Sequence, residues 1–391
     1  MTDSPPNISA RVAALFACHF FGFGLFLPFF PVVLEFRGLT AEEIGFILGA
    51  GTIARIAASP ILSNLADRRG NRRLSILVYS LIGAAFIALF AAPGGLLVIG
   101  VSVIGYMVIK APVLPLSDAY ALDAARNTGA DYARMRLWGS AGFVAATLIG
   151  GAVATELQSW ILLVLIALAA VATGGVVMML PKQQRENKTD TVREEGSDTP
   201  FRALWFWPVL TLLGLFQASH AAFYGFGTLY WQANDVADFT IGVLWAIGVI
   251  AEIALFIVAG KLALRFDPPV FLLVAGVAAI VRWSLFPFVD SFVSMALLQT
   301  LHGLTFGASH LGAVAILAKV VPSRWSGTGQ GLLATSIGIQ MALGLSVSGT
   351  LYAMDPDMPF YLMAAISAVG VVIMIALTPM VRKHMAESQA D

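Results

Sequence analysis

Residues 12–35 read VAALFACHFFGFGLFLPFFPVVLE, a run of 24 residues that is apolar almost throughout. A helix of about 20 mostly apolar residues is long enough to cross the roughly 30 Å hydrocarbon core of a membrane. The run is too long for the core of a signal peptide, and no convincing cleavage site follows it. We therefore interpret residues 12–35 as a first membrane span that is retained.

The composition of the whole chain also favours lipid as its solvent. Of the 391 residues, 58% are hydrophobic and 12% are charged, whereas soluble domains carry about 25% charged residues. The 23 basic and 23 acidic side chains cancel, so no nucleic-acid partner is indicated. A single cysteine, Cys18, excludes an intramolecular disulfide and a cysteine metal cluster.

Eleven more apolar runs follow, and together they predict an all-α membrane protein with twelve transmembrane helices. The first six predicted spans are 12–35, 43–66, 74–92, 96–122, 135–156 and 159–180. The second six are 205–232, 240–263, 269–289, 292–318, 327–352 and 359–380. Between them, Pro181 to Pro200 contains nine charged residues and no aromatic one, which is typical of a solvated linker. We predict a six-helix half at 1–180, a cytoplasmic linker at 181–204 and a second six-helix half at 205–391.

The distribution of basic residues agrees with this map. The loops on one side carry most of the lysines and arginines, beginning with the cluster Arg68, Arg69, Arg72 and Arg73, whereas the loops on the other side carry only Arg37. Basic residues accumulate on the cytoplasmic side of membrane proteins, and a wrong number of spans would have scrambled the asymmetry. We therefore predict a multi-pass protein of the inner (plasma) membrane with both termini in the cytoplasm.

The two predicted halves share short similarities in the same order. Residues 44–56 resemble residues 241–253 at a constant offset of 197, and FGFG at 21–24 resembles YGFG at 224–227. Two repeats of six spans have the same orientation in the membrane. In transporters built from such repeats, the substrate site lies near the midplane of the membrane between them.

The loop after helix two, residues 63–73, reads SNLADRRGNRR. It resembles the signature loop of the major facilitator superfamily, G-x-L-A-D-R-x-G-R-R, with Ser63 and Asn71 replacing a glycine and an arginine. The resemblance implies the major facilitator fold and a latch that holds one conformation, although a basic loop that only fixes topology is the alternative. The latch residues that we expect are Asp67, Arg68, Arg72 and Arg136.

Longer motifs run along almost the whole chain outside the linker. They include GFGLFLPF at 22–29, RLWGS at 136–140, Arg282-Trp283 and LHGLTF at 301–306. Together they resemble the phenylpropionate permease group, a branch of proton symporters near the lactose-permease-like transporters. The resemblance implies uptake of a 3-phenylpropionate-like aromatic monocarboxylate with a proton, and no cofactor beyond the proton gradient.

Ionisable side chains at membrane depth are costly and usually mark function. The predicted spans place six near the midplane: Arg55, Lys110, His220, Glu252, Arg282 and His302. With neutral histidines, three cations then stand against one carboxylate, which predicts a cavity that accepts an anion. The alternative is that each cation is neutralised structurally, for example Arg282 by Glu252.

Lys110 is the cation that we expect to bind the anionic end of the substrate. Helix four lines the cavity in this superfamily, and Pro112 and Pro115 remove backbone donors next to Lys110, as in helices broken beside a cavity. The family pattern has an apolar residue at this position, so Lys110 is expected to be a specificity element of this chain. The other substrate-binding residues that we expect are His220, Tyr224, Phe26, Phe223 and His302.

Glu252 is the expected carrier of the proton, with Arg282 tuning it. The lactose-permease-like transporters use a glutamate on helix eight, an arginine on helix nine and a histidine–glutamate pair on helix ten. Glu252, Arg282 and His302 match the first three, but helix ten contains no acid. Asp118 and His310, each eight residues further along its helix and roughly 12 Å closer to the cytoplasm, are the alternative carriers.

Other classes of function fit the sequence less well. A metal site of His220, His302 and His310 lacks an acid or cysteine to complete it, so no metal is expected. An enzyme would need a constellation such as H-E-x-x-H, which is absent. Symport of a neutral sugar or nucleoside, or export of drugs, stays open. The expected partners are a small anionic substrate, protons and the lipid bilayer, and we expect a monomer.

Overall fold

The computed structural model describes residues 6–154, 159–182 and 200–390, which contain helices and no strand. Twelve helices in these ranges are long and apolar enough to cross a membrane, so the predicted fold class is confirmed. Helices one to six are Ile8–Phe36, Ala41–Arg69, Arg72–Ala91, Leu96–Thr128, Tyr132–Val153 and Ser159–Met178. Helices seven to twelve are Phe206–Ala233, Asp238–Leu262, Pro268–Phe288, Phe292–Val320, Ser323–Met354 and Met358–Glu387.

Helices four and twelve end later than predicted, at Thr128 and Glu387. The residues that follow their apolar runs include alanine, arginine, lysine and glutamate, which favour helix, so the helices continue where the hydropathy signal ends. Most of the predicted linker, residues 183–199, lies outside the described residues.

The chain forms two compact units. The first comprises Met1–Arg185 and Tyr224–Ala246, and the second comprises Glu186–Phe223 and Ile247–Asp391. The first unit therefore adds part of helices seven and eight to the first six helices. The domain boundaries at 180 and 205 stay a prediction from the repeat.

Small residues allow close packing inside the first unit. A Cβ atom added to Gly24 of helix one would lie 2.9 Å from the carbonyl oxygen of Phe143 in helix five. Helices in lipid associate through such small residues because burying apolar area against lipid gains little. The core of this unit is formed by buried side chains such as Leu15, Tyr120 and Met135.

The core of the second unit lies between helices seven, nine, ten and twelve. Its buried side chains include Leu213, Leu272, Ile316 and Met374. Helix eleven contributes Leu333.

Three membrane helices are irregular near their middle. Helix four is interrupted at Ala111–Pro112, between α-helical segments Leu96–Lys110 and Val113–Thr128. Helix seven is interrupted at Ser219–His220, and helix ten contains a π-helical segment, Gly303–Ala308. Irregular backbone at membrane depth is tolerated where protein or water satisfies it, and π-helical turns are frequent at functional sites. Of the candidate site residues, Lys110, His220 and His302 lie at or directly beside these irregularities.

Candidate functional site

Arg282, six residues before the end of helix nine, is the centre of a buried polar cluster in the second unit. Its side chain is fully buried. One terminal nitrogen, Nη1, donates to Nδ1 of His302 and to Oγ1 of Thr305, both at 3.0 Å. The other, Nη2, donates to Oε1 of Gln299 at 2.6 Å. The guanidinium also lies 4.4 Å from the ring centre of Trp283.

The direction of these hydrogen bonds fixes the protonation of His302. A guanidinium only donates, so Nδ1 of His302 must accept and cannot carry a proton. The ring is therefore neutral, with its proton on Nε2. That nitrogen lies 3.9 Å from Oε2 of Glu252 on helix eight. His302 thus presents an N–H group to the carboxylate.

His220 is held in the complementary state. Its Nδ1 lies 3.0 Å from the carbonyl oxygen of Gln217, which only accepts, so Nδ1 carries a proton. Its Nε2 lies 2.9 Å from Oγ1 of Thr305. A protonated His220 would place a second cation beside Arg282, so we assign the neutral ring, which accepts from the hydroxyl group of Thr305.

Glycines bring helix ten onto helix eight beside Glu252. A Cβ atom on Gly303 would lie 2.6 Å from the carbonyl oxygen of Ala251, and one on Gly307 would lie 2.7 Å from Cδ2 of Leu255. Because the backbones touch here, the imidazole of His302 lies opposite the carboxylate of Glu252. The irregular helix seven is tied to the same place, since Nε2 of Gln217 donates to Oγ of Ser309 at 2.7 Å.

The structure therefore brings together four of the predicted site residues, Glu252, Arg282, His302 and His220. Among the predicted substrate-binding side chains, His220 and Phe223 are the most deeply buried: His220 is fully buried, and Phe223 is 2% exposed below the guanidinium of Arg282. His310 lies further along helix ten, exposed, with its ring parallel to that of Phe306.

Sequence reasoning missed three members of this cluster, Gln217, Gln299 and Thr305. Gln299, His302 and Thr305 are spaced by three, so they share one face of helix ten. That spacing of polar residues in an apolar span was the available signal.

The first unit contains the other predicted substrate-binding residues. Phe26 is 8% exposed and stacks on Phe30, and Tyr224 stacks on Trp245 with ring centres 6.2 Å apart. Lys110 ends the first segment of helix four, and its aliphatic stem packs on Gly83 of helix three. Among the described residues, no carboxylate pairs with its ammonium group.

Two predicted residues of different roles meet in the first unit. Asp118, an alternative proton carrier, lies 3.7 Å from Nε of Arg136, an expected latch residue. It also accepts a hydrogen bond of 2.9 Å from the hydroxyl of Tyr132. The guanidinium of Arg136 lies 4.1 Å from the ring centre of Phe20.

The other latch residues lie at the cytoplasmic end predicted for helix two. Nε of Arg72 donates to Asp67 at 2.9 Å, and its Nη1 donates to Asp123 at 2.7 Å. Asp123 was not among the predicted latch residues. Arg68, which was, is exposed. The latch role of this group stays a prediction.

Comparison with known proteins gives consistent results. The model of the family described as "MFS_1 like family" matches residues 11–363. A protein of Escherichia coli (strain K12) named "Probable 3-phenylpropionic acid transporter" is 29% identical over 92% of this chain and 95% of its own length. The maltose permease of Geobacillus stearothermophilus is 24% identical over 79% of this chain and 78% of its own length. The crystal structure of the nucleoside transporter NupG superposes with a TM-score of 0.83 at 19% identity, covering 95% of this chain and 99% of that one.

Proposed function

This chain belongs to the MFS_1 like family of membrane transporters, and we propose that it takes up a small aromatic monocarboxylate together with protons by alternating access. The resemblance to the major facilitator superfamily and its phenylpropionate permease group is confirmed. The protein is a multi-pass membrane transporter and not an enzyme. Placement in the inner membrane with cytoplasmic termini, an anionic substrate and a monomeric state are parts of the proposal.

The substrate class is supported by the relative named for 3-phenylpropionic acid, which aligns with 92% of this chain. Lys110 supports an anionic substrate, because its ammonium has no carboxylate partner among the described residues. A charge at membrane depth without a counter-ion is unfavourable, and an arriving carboxylate would compensate it. We therefore assign the carboxylate end of the substrate to Lys110. His220 and Phe223, which are enclosed, are reassigned to holding Arg282 in place.

The observation that carries the proton coupling is the N–H group of His302 that faces Glu252. Arg282 keeps both histidines of the cluster neutral: it donates directly to His302, and it donates to Thr305, whose hydroxyl donates to His220. Glu252 is the member of the cluster that can gain and lose a proton while those bonds persist. Its side chain is 23% exposed, so water can reach it.

The coupling follows from the cost of charge in the membrane. The N–H group of His302, 3.9 Å away, favours an ionised Glu252 electrostatically. A protonated Glu252 is neutral and can enter a less polar environment at lower cost. A proton on Glu252 therefore changes the free-energy difference between conformations in which this side chain lies in a more polar and in a less polar environment. A ligand shifts a conformational equilibrium only through such a difference. One proton with one monocarboxylate makes an electroneutral cycle.

The test is accumulation of labelled 3-phenylpropionate in proteoliposomes with an imposed pH gradient. One pH unit stores about 1.4 kcal/mol per proton, which supports up to about tenfold accumulation at one proton per substrate. We expect wild type to accumulate substrate and Glu252→Gln to lose accumulation while exchange down the gradient continues. Glu35→Gln, at the exposed end of helix one, is the matched control and should behave as wild type.

Accumulation by Glu252→Gln would contradict the assignment of the proton and move it to Asp118 or His310. Uptake of maltose or uridine without uptake of any carboxylate would instead favour the alternative of a neutral sugar or nucleoside symporter. An applied membrane potential should leave the rate unchanged if the cycle is electroneutral.

A further inference from the structure

Lys110 lies where helix four is interrupted. It is the last residue of Leu96–Lys110, directly before the turn at Ala111–Pro112. The stem packs so closely on Gly83 that a Cβ atom there would lie 3.0 Å from Cδ of Lys110. The side chain is partly exposed. Its ammonium group therefore lies beside the interruption, and no carboxylate among the described residues pairs with it.

His19 of helix one also has a polar atom without a partner. Its Nδ1 atom is buried and has no hydrogen-bond partner within the described parts of the chain. Buried polar atoms in native proteins are almost always hydrogen-bonded, so this nitrogen can pair with a polar group of a bound molecule. The ring interacts electrostatically with two cations, Lys110 and Arg136. Like Lys110, the side chain as a whole is partly exposed.

Arg136 does not need a further anion, since Asp118 already lies 3.7 Å from its Nε. Asp118 in turn accepts from Tyr132, and the guanidinium rests on the ring of Phe20. The pair of Arg136 and Asp118 is neutral as a whole. With a neutral His19, the group carries one uncompensated positive charge, that of Lys110.

We propose that His19 and Lys110 together bind one carboxylate group of a monovalent organic anion. The ammonium of Lys110 supplies the charge, and Nδ1–H of His19 donates to a carboxylate oxygen. This inference rests on the proposed transport of a carboxylate and adds His19, which sequence reasoning left without a role.

The neighbouring side chains define the rest of the ligand. Phe23 is four residues after His19, so it lies on the same face of helix one. Its ring is 37% exposed, beside the rings of Phe20 and Phe143. An aromatic ring attached to the carboxylate by a short chain can pack on Phe23. A second carboxylate would bring an extra negative charge that the group does not compensate, so dicarboxylates are disfavoured.

The experiment is calorimetric titration of the purified full chain with 3-phenylpropionate, its amide, phenylsuccinate, benzoate and cinnamate. Hydrogen bonds to charged groups are stronger than those to neutral groups, so the wild type should bind the acid roughly tenfold or more tightly than the amide. Lys110→Met should lose that preference, and Lys110→Arg should keep most of it. His19→Leu should weaken binding of the acid, and His19→Gln, which restores an N–H donor, should recover it. Lys261→Met, at an exposed lysine of helix eight, is the matched control and should bind as wild type.

Equal preference for the acid in wild type and Lys110→Met would overturn this site, and the proposed function would stand if transport of 3-phenylpropionate persists. Equal binding of the acid by wild type and His19→Leu would remove His19 from it. If wild type binds benzoate or cinnamate but not 3-phenylpropionate, and both variants lose that binding, the site is supported and the substrate of the proposed function is replaced. Absence of binding of 3-phenylpropionate, benzoate and cinnamate by wild type would overturn both.

Discussion

Replacing Gly303 with alanine would separate helix ten from helix eight at Glu252. The new Cβ atom would lie 2.6 Å from the carbonyl oxygen of Ala251, and ordinary van der Waals contact begins at 3.4 Å. The helices must therefore move apart by about 0.8 Å, a difference of these two distances. The obstacle is backbone, which cannot rotate away as a flexible side chain could.

The cost can be isolated with a matched glycine. Gly331 in helix eleven has open space around its Cα, so Gly331→Ala introduces no clash. Alanine favours helix over glycine by about 1 kcal/mol in both variants, and this gain cancels in the comparison. Overpacking of a tight contact costs about 1–3 kcal/mol. We expect Gly303→Ala to be less stable than Gly331→Ala by that amount.

The same displacement should affect coupling more than binding. Moving His302 away from Glu252 lengthens a contact that is already 3.9 Å. In proteoliposomes, Gly303→Ala should accumulate less substrate per unit of pH gradient, while its affinity for substrate changes little. Thermal unfolding in detergent and the accumulation ratio are the two measurements. Equal unfolding temperatures and equal accumulation in the two alanine variants would refute the close helix contact and its role.

Two further predictions test the cluster and the topology. Thr305→Val removes the hydroxyl that joins Arg282 to His220. Because buried polar groups are left unpaired, the protein should lose about 1–3 kcal/mol of stability in thermal or denaturant unfolding. The control, Thr300→Val on the exposed side of the same helix, should change the stability little. Reporter proteins fused after Asp198 and at the C-terminus should both report the cytoplasm, because the basic loops lie on that side, and a periplasmic signal from either fusion would contradict the predicted topology.

The fold could be predicted from the sequence because each membrane span is a long apolar run, and all twelve are present. The charged members of the second-unit cluster were also predictable, since Glu252, Arg282 and His302 are conspicuous in apolar helices. Their arrangement was not, because hydrogen-bond direction depends on neutral partners such as Gln299 and Thr305. The assignment of His220 and Phe223 to substrate contact followed from their helix alone, whereas their burial depends on how helices seven and nine pack. Nothing near His19 in the sequence marked it as a site residue. Its electrostatic interaction with Lys110 arises only when helices one and four fold together.

The π-helical segment Gly303–Ala308 has a consequence for comparing this chain with its relatives. A π-helical turn contains one residue more than an α-helical turn, and it places the rings of His302, Phe306 and His310 in a column with centres 5.4 Å and 6.4 Å apart. Deleting one residue from the segment would shorten helix ten by about 1.5 Å, which a membrane span tolerates, but would rotate everything beyond it by about 100°. An alignment with a relative whose helix ten is regular therefore needs a one-residue gap between His302 and Ser309. Without that gap, residues from opposite faces of the helix would be matched, and His310 would be compared with a residue that points in another direction.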